Sequence, residues 1–211
     1  MVSPVEHIVT TYVDMYRVLA GKEDIAEFVR LVIMSIKTEM GKDAASALNA
    51  GLSAATYPSN LKVSGAFSAE NLIQLGETVQ AYNYGMRPVI LGTSAALAKV
   101  TPDSALGFRG NWNAADGVVH VMKDFYGFTL MVLPQYAAGS NPAAGLALPD
   151  NVLYVISPNS DKLVKAVVSQ SLTNSNNFYD NADLTQNFTM RKEWGMEFIG
   201  AAWGGIYTIT D

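Results

Sequence analysis

The sequence predicts an α+β fold: a long helix packed on an antiparallel sheet, with a mixed α/β lobe inserted between the two halves of that layer. Three observations predict it. Residues 9–20 (VTTYVDMYRVLA) alternate like a strand, a helical apolar stripe starts at Ile25, and residues 188–209 (FTMRKEWGMEFIGAAWGGIYTI) form two apolar, aromatic-rich runs split only by small residues. A two-stranded ribbon is marginal alone and needs a third strand or a helix to cover it. The long helix and the unpaired strand that can do so lie at the other end of the chain. The reading therefore joins residues 1–57 and 181–211 in one domain and leaves 58–180 as the inserted one.

In chain order, Val9, Thr11, Val13, Met15, Arg17 and Leu19 share one face of the first run, and the β-branched and aromatic content makes it a strand that Gly21 ends. The helix that follows places Phe28, Val29, Val32, Ile33, Ile36 and Met40 on a buried stripe. Glu23, Asp24 and Glu27 stand near its start, where the helix dipole favours negative charge. The Ala-rich stretch after Gly41 continues it to about 30 residues, roughly 45 Å at 1.5 Å per residue.

Tyr57-Pro58-Ser59-Asn60 is a turn, and Ser68 caps a second helix with Leu72, Leu75, Gly76, Val79 and Tyr82 on one face. Pro88–Leu91 is a short apolar strand leading into a small helix from Ser94 to Val100, the step of a mixed α/β layer. Asn111–Gly117 reads as loop. Val118–Met122 and Phe128–Leu133 flank Lys123–Gly127 as a hairpin. Residues 137–150, rich in Ala, Gly and Pro, predict a mobile loop, and Asn151–Ile156 predicts a strand. After the turn at Ser157–Ser160 the spacing predicts a helix with Leu163, Val164, Val167 and Val168 inward. The long strand pair closes the order, with Gly195, Gly200, Gly204 and Gly205 allowing bends or bulges. No repeat of 20–50 residues is present.

Composition narrows the function. The 211 residues are 49% hydrophobic and only 16% charged, which favours a protein that covers much of its surface with partners. Zero cysteines remove disulfides, thiolate nucleophiles and cysteine-ligated metals. A net charge of −5 with no basic run argues against a dedicated nucleic-acid grip. The longest apolar stretches, such as Leu31–Met34 and Phe128–Leu133, are too short to span a bilayer, so no membrane partner is expected. The first residues, MVSPVEHIV, carry no basic cluster of a signal peptide, which makes the cytoplasm, or a particle assembled there, the expected compartment.

Chemical motifs are weak. Gly92-Thr93-Ser94-Ala95-Ala96 is similar to a nucleophile elbow, but its triad would need His120 with Asp103 or Asp116, too cramped for the usual sheet; Thr93 or Ser94 capping the helix is the simpler reading. His7 and His120 are far apart and have no converging ligands, so neither metal nor cofactor is expected. Glu193 and Glu197 alternate with aromatic residues on a strand and are a poor glycosidase pair. Phosphate-binding loops are missing, and Asn187-Phe188-Thr189 is a sequon by pattern only. The nine methionines read as adaptable packing.

The ordered segments carry a resemblance. VDMYRVLAGKEDIAEFVRLVIMSI, RPVILGTSAALAKV, GVVHVMKDFYGFTLMVLPQ, NVLYVISPNSDKLVKAV and DLTQNFTMRKEWGMEFIGAAWGGIYTI together resemble, from about residue 9 onward, the major capsid proteins of tailed bacteriophages, the Hong Kong 97-type coat fold. Family members carry an N-terminal arm and an extended loop before the first strand. About eight residues precede that strand here, so the chain resembles a member lacking both.

The resemblance implies a peripheral domain with a spine helix on an antiparallel sheet and an inserted axial domain. It implies a structural subunit of an icosahedral phage head, without catalysis, self-associating into pentamers and hexamers around double-stranded DNA that it touches weakly and non-specifically. Scaffolding and portal proteins would be partners, and the virion, assembled in the host cytoplasm, would be its location. Arg191, Glu193, Trp194, Phe198 and Trp203 are the expected subunit-contact residues; Trp194, Phe198 and Trp203 would be core or intersubunit anchors, and Arg191 would pair with an acidic residue of a neighbour. An encapsulin-like nanocompartment shell is the alternative, and a small α/β hydrolase a more distant one.

Overall fold

The computed structural model describes residues 3–14, 17, 20–21, 24–100, 124–139, 141–158, 161–169, 172–174 and 185–210. The elements follow in chain order: β1 (Val5–Asp14), α1 (Ile25–Ser53), β2 (Lys62–Gly65), α2 (Ala69–Tyr82), β3 (Val89–Gly92), α3 (Ser94–Ala98), β4 (Asp124–Phe125), β5 (Phe128–Val132), β6 (Val152–Ile156), β7 (Val164–Val168), β8 (Leu172–Asn174), β9 (Thr185–Phe198) and β10 (Gly205–Ile209). The chain forms two units, Met1–Ala47 with Val164–Glu197 and Leu48–Leu163 with Phe198–Asp211. Their boundaries fall inside α1 and β9. The expected division differs from this because β7 hydrogen-bonds in the first sheet and β10 in the second.

In the first unit the sheet runs β1-β9-β7, with β8 also pairing β9. β1 and β9 are antiparallel from Val5 opposite Trp194 to Asp14 opposite Thr185, so the two halves of the sequence are joined as expected. α1 packs on this sheet through Val32 and Ile36, which are buried against Trp194, with Val9, Met40, Met190 and Met196 around them. The i, i+4 spacing of Val32, Ile36 and Met40 puts them on one line of the helix. Ile33, expected on the buried stripe, lies one position round the helix from Val32 and is exposed. Gly41 does not interrupt α1.

In the second unit a six-stranded sheet runs β2-β10-β6-β3-β5-β4. β10 is parallel to β2 and antiparallel to β6; β3 is antiparallel to β6 and parallel to β5. Its core includes Leu72, Leu75 and Val79 of α2 and Ile90, Leu153, Val155 and Tyr207 of the sheet. Ser68 caps α2 by accepting from the Asn71 N–H, as expected. Gly76 is required for packing, since a Cβ there would lie 2.7 Å from Cζ of Phe128. Tyr82, expected on the inward stripe, is exposed in the last turn.

Two other expectations change. Residues 164–168 are a strand rather than a helix, with Val167 and Val168 exposed. Apolar pairs four apart suit either period, and the three β-branched valines favour the extended backbone. The segment expected as a mobile loop carries a short hairpin ladder, with a bridge between Ala137 and Leu146. The Ala138 N–H donates to the Gly145 carbonyl (3.0 Å) and that of Ala147 to Tyr136 (2.8 Å). The Gln135 amide extends the ladder, donating to Leu148 O at 3.0 Å and accepting from Leu148 N–H at 2.9 Å. The β4–β5 hairpin turns at Tyr126 (φ 47°) and Gly127 (φ 86°), both in the left-handed region that a tight two-residue hairpin turn needs. The strand expected at Val118–Met122 lies outside the described residues.

Candidate functional site

The expected contact residues fall into two groups, one in each unit. On β9 the side chains alternate, so Arg191 and Glu193 point away from the face that carries Trp194. Glu6 sits directly opposite Glu193 in the β1–β9 register, which would set two like charges against each other. Arg191 relieves this: its Nε reaches Glu6 Oε1 at 2.5 Å and its guanidinium reaches Glu193 Oε1 at 3.1 Å. Arg191, expected to seek acid on a neighbour, thus has two acidic partners within its own chain.

Trp194 is 1% exposed. Its ring stacks on His7 with centroids 3.6 Å apart and planes 6° from parallel, and its indole N–H donates to Asp43 Oδ2 at 2.8 Å. A ring with no free surface has nothing to offer a second subunit, so Trp194 takes the core role of the two open to it.

Phe198 and Trp203 converge on Tyr57 in the second unit, at 5.7 Å and 6.3 Å between ring centroids. Phe198 is partly buried and covers Gly51, where a Cβ would be 2.1 Å from its Cγ. The Tyr57 hydroxyl donates to Gly204 O (2.8 Å) and accepts from Gly204 N–H (2.9 Å), which fixes the backbone entering β10. Trp203 is 39% exposed and lies 5.9 Å from Tyr82. Its backbone is held on both sides by the buried Asn83 side chain, which donates to Trp203 O at 2.7 Å and accepts from Trp203 N–H at 3.1 Å.

His7, Asp43, Glu6 and Asn83 were not read as site residues. The alternation that begins at Val9 extends upstream through His7, and that signal reaches two of them. The other two depend on partners far away in sequence.

The remaining chemical candidates stay modest. Thr93 caps α3 by accepting from the Ala96 N–H at 3.2 Å, and Ser94 is exposed in its first turn. His120, Asp103 and Asp116 lie outside the described residues. Among the described residues, no group of three His, Asp or Glu could hold a metal ion, and no helix is long and apolar enough to cross a membrane.

No family model matches the chain, and neither does any curated protein sequence. Solved structures do. A structure from Mycobacterium phage Che8 aligns with a TM-score of 0.60 and 11% identity over 96% of this chain and 70% of its own. The mature capsid of bacteriophage PhiM1 aligns with a TM-score of 0.58 and 14% identity over 100% and 72%. The chain has the phage coat fold. Within the coat fold α1 is the long helix on the antiparallel sheet, and the six-stranded sheet with α2 and α3 is the mixed α/β lobe. The holo-SrpI encapsulin complex of Synechococcus elongatus is also similar, with a TM-score of 0.51 and 13% identity over 100% of this chain and 75% of its own.

Proposed function

We propose that the chain is a shell-forming subunit of an icosahedral phage head, structural rather than catalytic, with the virion as its location. The observation that carries this reading is the coat fold itself, matched along the full chain to a mature phage capsid. The first unit takes the peripheral role and the second the axial role. Copies associate into pentamers and hexamers around double-stranded DNA. Assembly occurs in the host cytoplasm with scaffolding and portal proteins, and the net charge of −5 keeps contact with the packaged DNA weak. Of the sequence-derived contact residues, Trp203 keeps exposed surface for a neighbour; Arg191 and Glu193 keep about half and a third of theirs.

The similarity to an encapsulin supports a second reading, a nanocompartment that encloses protein. Negative-stain microscopy of the expressed chain tests both. Closed shells are expected; a strictly monomeric product at high concentration overturns both readings. Nuclease-protected DNA in shells isolated from the native source supports the first reading, and protein cargo without DNA the second.

A further inference from the structure

The face of the first sheet that packs on α1 holds two aromatic rings in an arrangement that neutral rings resist. His7 of β1 lies flat on Trp194 of β9, with centroids 3.6 Å apart and planes 6° from parallel. Neutral aromatic pairs prefer an offset or edge-on placement with centroids about 4.5–7 Å apart, because each ring face is electron-rich. A sandwich this close sets two such faces against each other. An imidazolium changes the sign: its positive ring is drawn to the indole face, the strongest of the aromatic cation acceptors. Histidine gains that charge within the ordinary range of pH.

The surroundings act on the same proton. From α1, the Asp43 carboxylate accepts the Trp194 indole N–H at 2.8 Å, which pushes electron density into the ring under His7 and sets a negative charge at its edge. Lys42, beside Asp43 in sequence, is taken up by Glu39 at 2.9 Å. From β9, Lys192 stands directly opposite His7, so the two side chains share a face and a proton on His7 meets a like charge. On β1 itself, Val5 and Val9 flank His7 on that face, and Glu6 points to the other, where Arg191 holds it. Among the described residues, Asp43 and the indole thus favour the imidazolium and Lys192 opposes it. His7 is half-buried and Trp194 fully buried, so little water comes between the rings.

We infer that His7 stacks on Trp194 as an imidazolium, and that this stack is a proton-operated clamp joining β1, β9 and α1. Acid closes it by making the rings attract. In the neutral form the same two rings are left in a poor sandwich and slide apart. A proton that the folded chain holds more firmly than the unfolded one adds stability at acid pH, and the addition fades as pH rises through the titration of His7. The clamp lies within the first unit and does not depend on association between copies.

Urea unfolding of the full chain near pH 5 and near pH 8 tests this. His7→Gln is expected to lower the midpoint about twice as much near pH 5 as near pH 8. Asp43→Asn, whose amide oxygen can still accept the indole N–H, is expected to lose more at acid pH too, while Lys192→Met is expected to gain there. Equal losses at both pH values in His7→Gln overturn the inference, as does a larger loss near pH 8; a purely structural stack gives the first. A signal in the parent guards against variants that fold poorly. The NMR lines of the His7 ring protons, lying over the indole, should be displaced upfield near pH 5 and return toward ordinary positions near pH 8. A displacement that is the same at both values, or greater near pH 8, overturns the inference with no substitution at all.

Discussion

The indole of Trp194 joins three elements through one side chain: β9 carries it, β1 supplies the stacked His7, and α1 supplies Asp43. Replacing it by phenylalanine keeps a ring for the stack but removes the N–H donor and part of the buried ring volume. Trp194→Phe is expected to lower stability by about 2–4 kcal/mol, from the cavity left by the smaller ring together with the lost hydrogen bond, whose cost is eased because the partly exposed carboxylate of Asp43 recovers some hydration. Urea unfolding measures this, and an unchanged midpoint would show that the bond contributes nothing.

The buried tyrosines give a second prediction. Burial pushes Tyr154, hydrogen-bonded to Asn49, up to about 12, and raises Tyr57 as well, partly countered by its bond to Gly204. A phenol raised in the folded state loses its proton there later than in the unfolded chain. Its contribution to stability is therefore complete below the ordinary value of 10.0 and is lost as pH climbs toward 12. The unfolding midpoint should fall across that window, and less steeply in Tyr154→Phe; parallel curves would remove Tyr154 as a cause. Sequence placed Trp194 in the core or at a contact, but Asp43 is 151 positions away and no local pattern points from one to the other.

At the level of elements, α1 and β9 depend on one close approach near their ends. Gly51 leaves no room for a side chain beneath the Phe198 ring. Gly51→Ala is expected to cost about 1–3 kcal/mol by overpacking, and most of that cost should vanish in a Phe198→Ala background. Chemical denaturation of the four variants of this cycle reads the coupling, and equal costs in both backgrounds would deny the contact. Most elements were legible because their periods are clean: the α1 stripe, the Ser68 cap and the alternation in β1 each follow from local spacing. β7 was not, since Val164, Val167 and Val168 satisfy a helical spacing while their branched side chains prefer a strand. The arm at 135–148 was hidden because its composition reads as loop and its ladder is completed by a side-chain amide.

Over the whole molecule, neither unit is continuous in sequence. The joining of the first strand to β9 was legible, as the only way to cover an otherwise marginal ribbon. The position of β10 was not: nothing in GIYTI says that it pairs with β2 and β6 rather than continuing beside β9. Its place is central, because it carries β2 on one side and β6 on the other and buries Ile206, Tyr207 and Ile209. A chain ending at Gly204 is expected to lose cooperative unfolding of the second unit, seen as a flattened thermal transition; an unaltered transition would show that the sheet tolerates the gap.

The order of synthesis gives this placement a further meaning. A ribosome makes β2 and β6 before the strand that belongs between them, so that place in the sheet can be filled only once residues 205–209 have been made. Any surface that depends on that lobe is expected to be complete only after translation has passed residue 209.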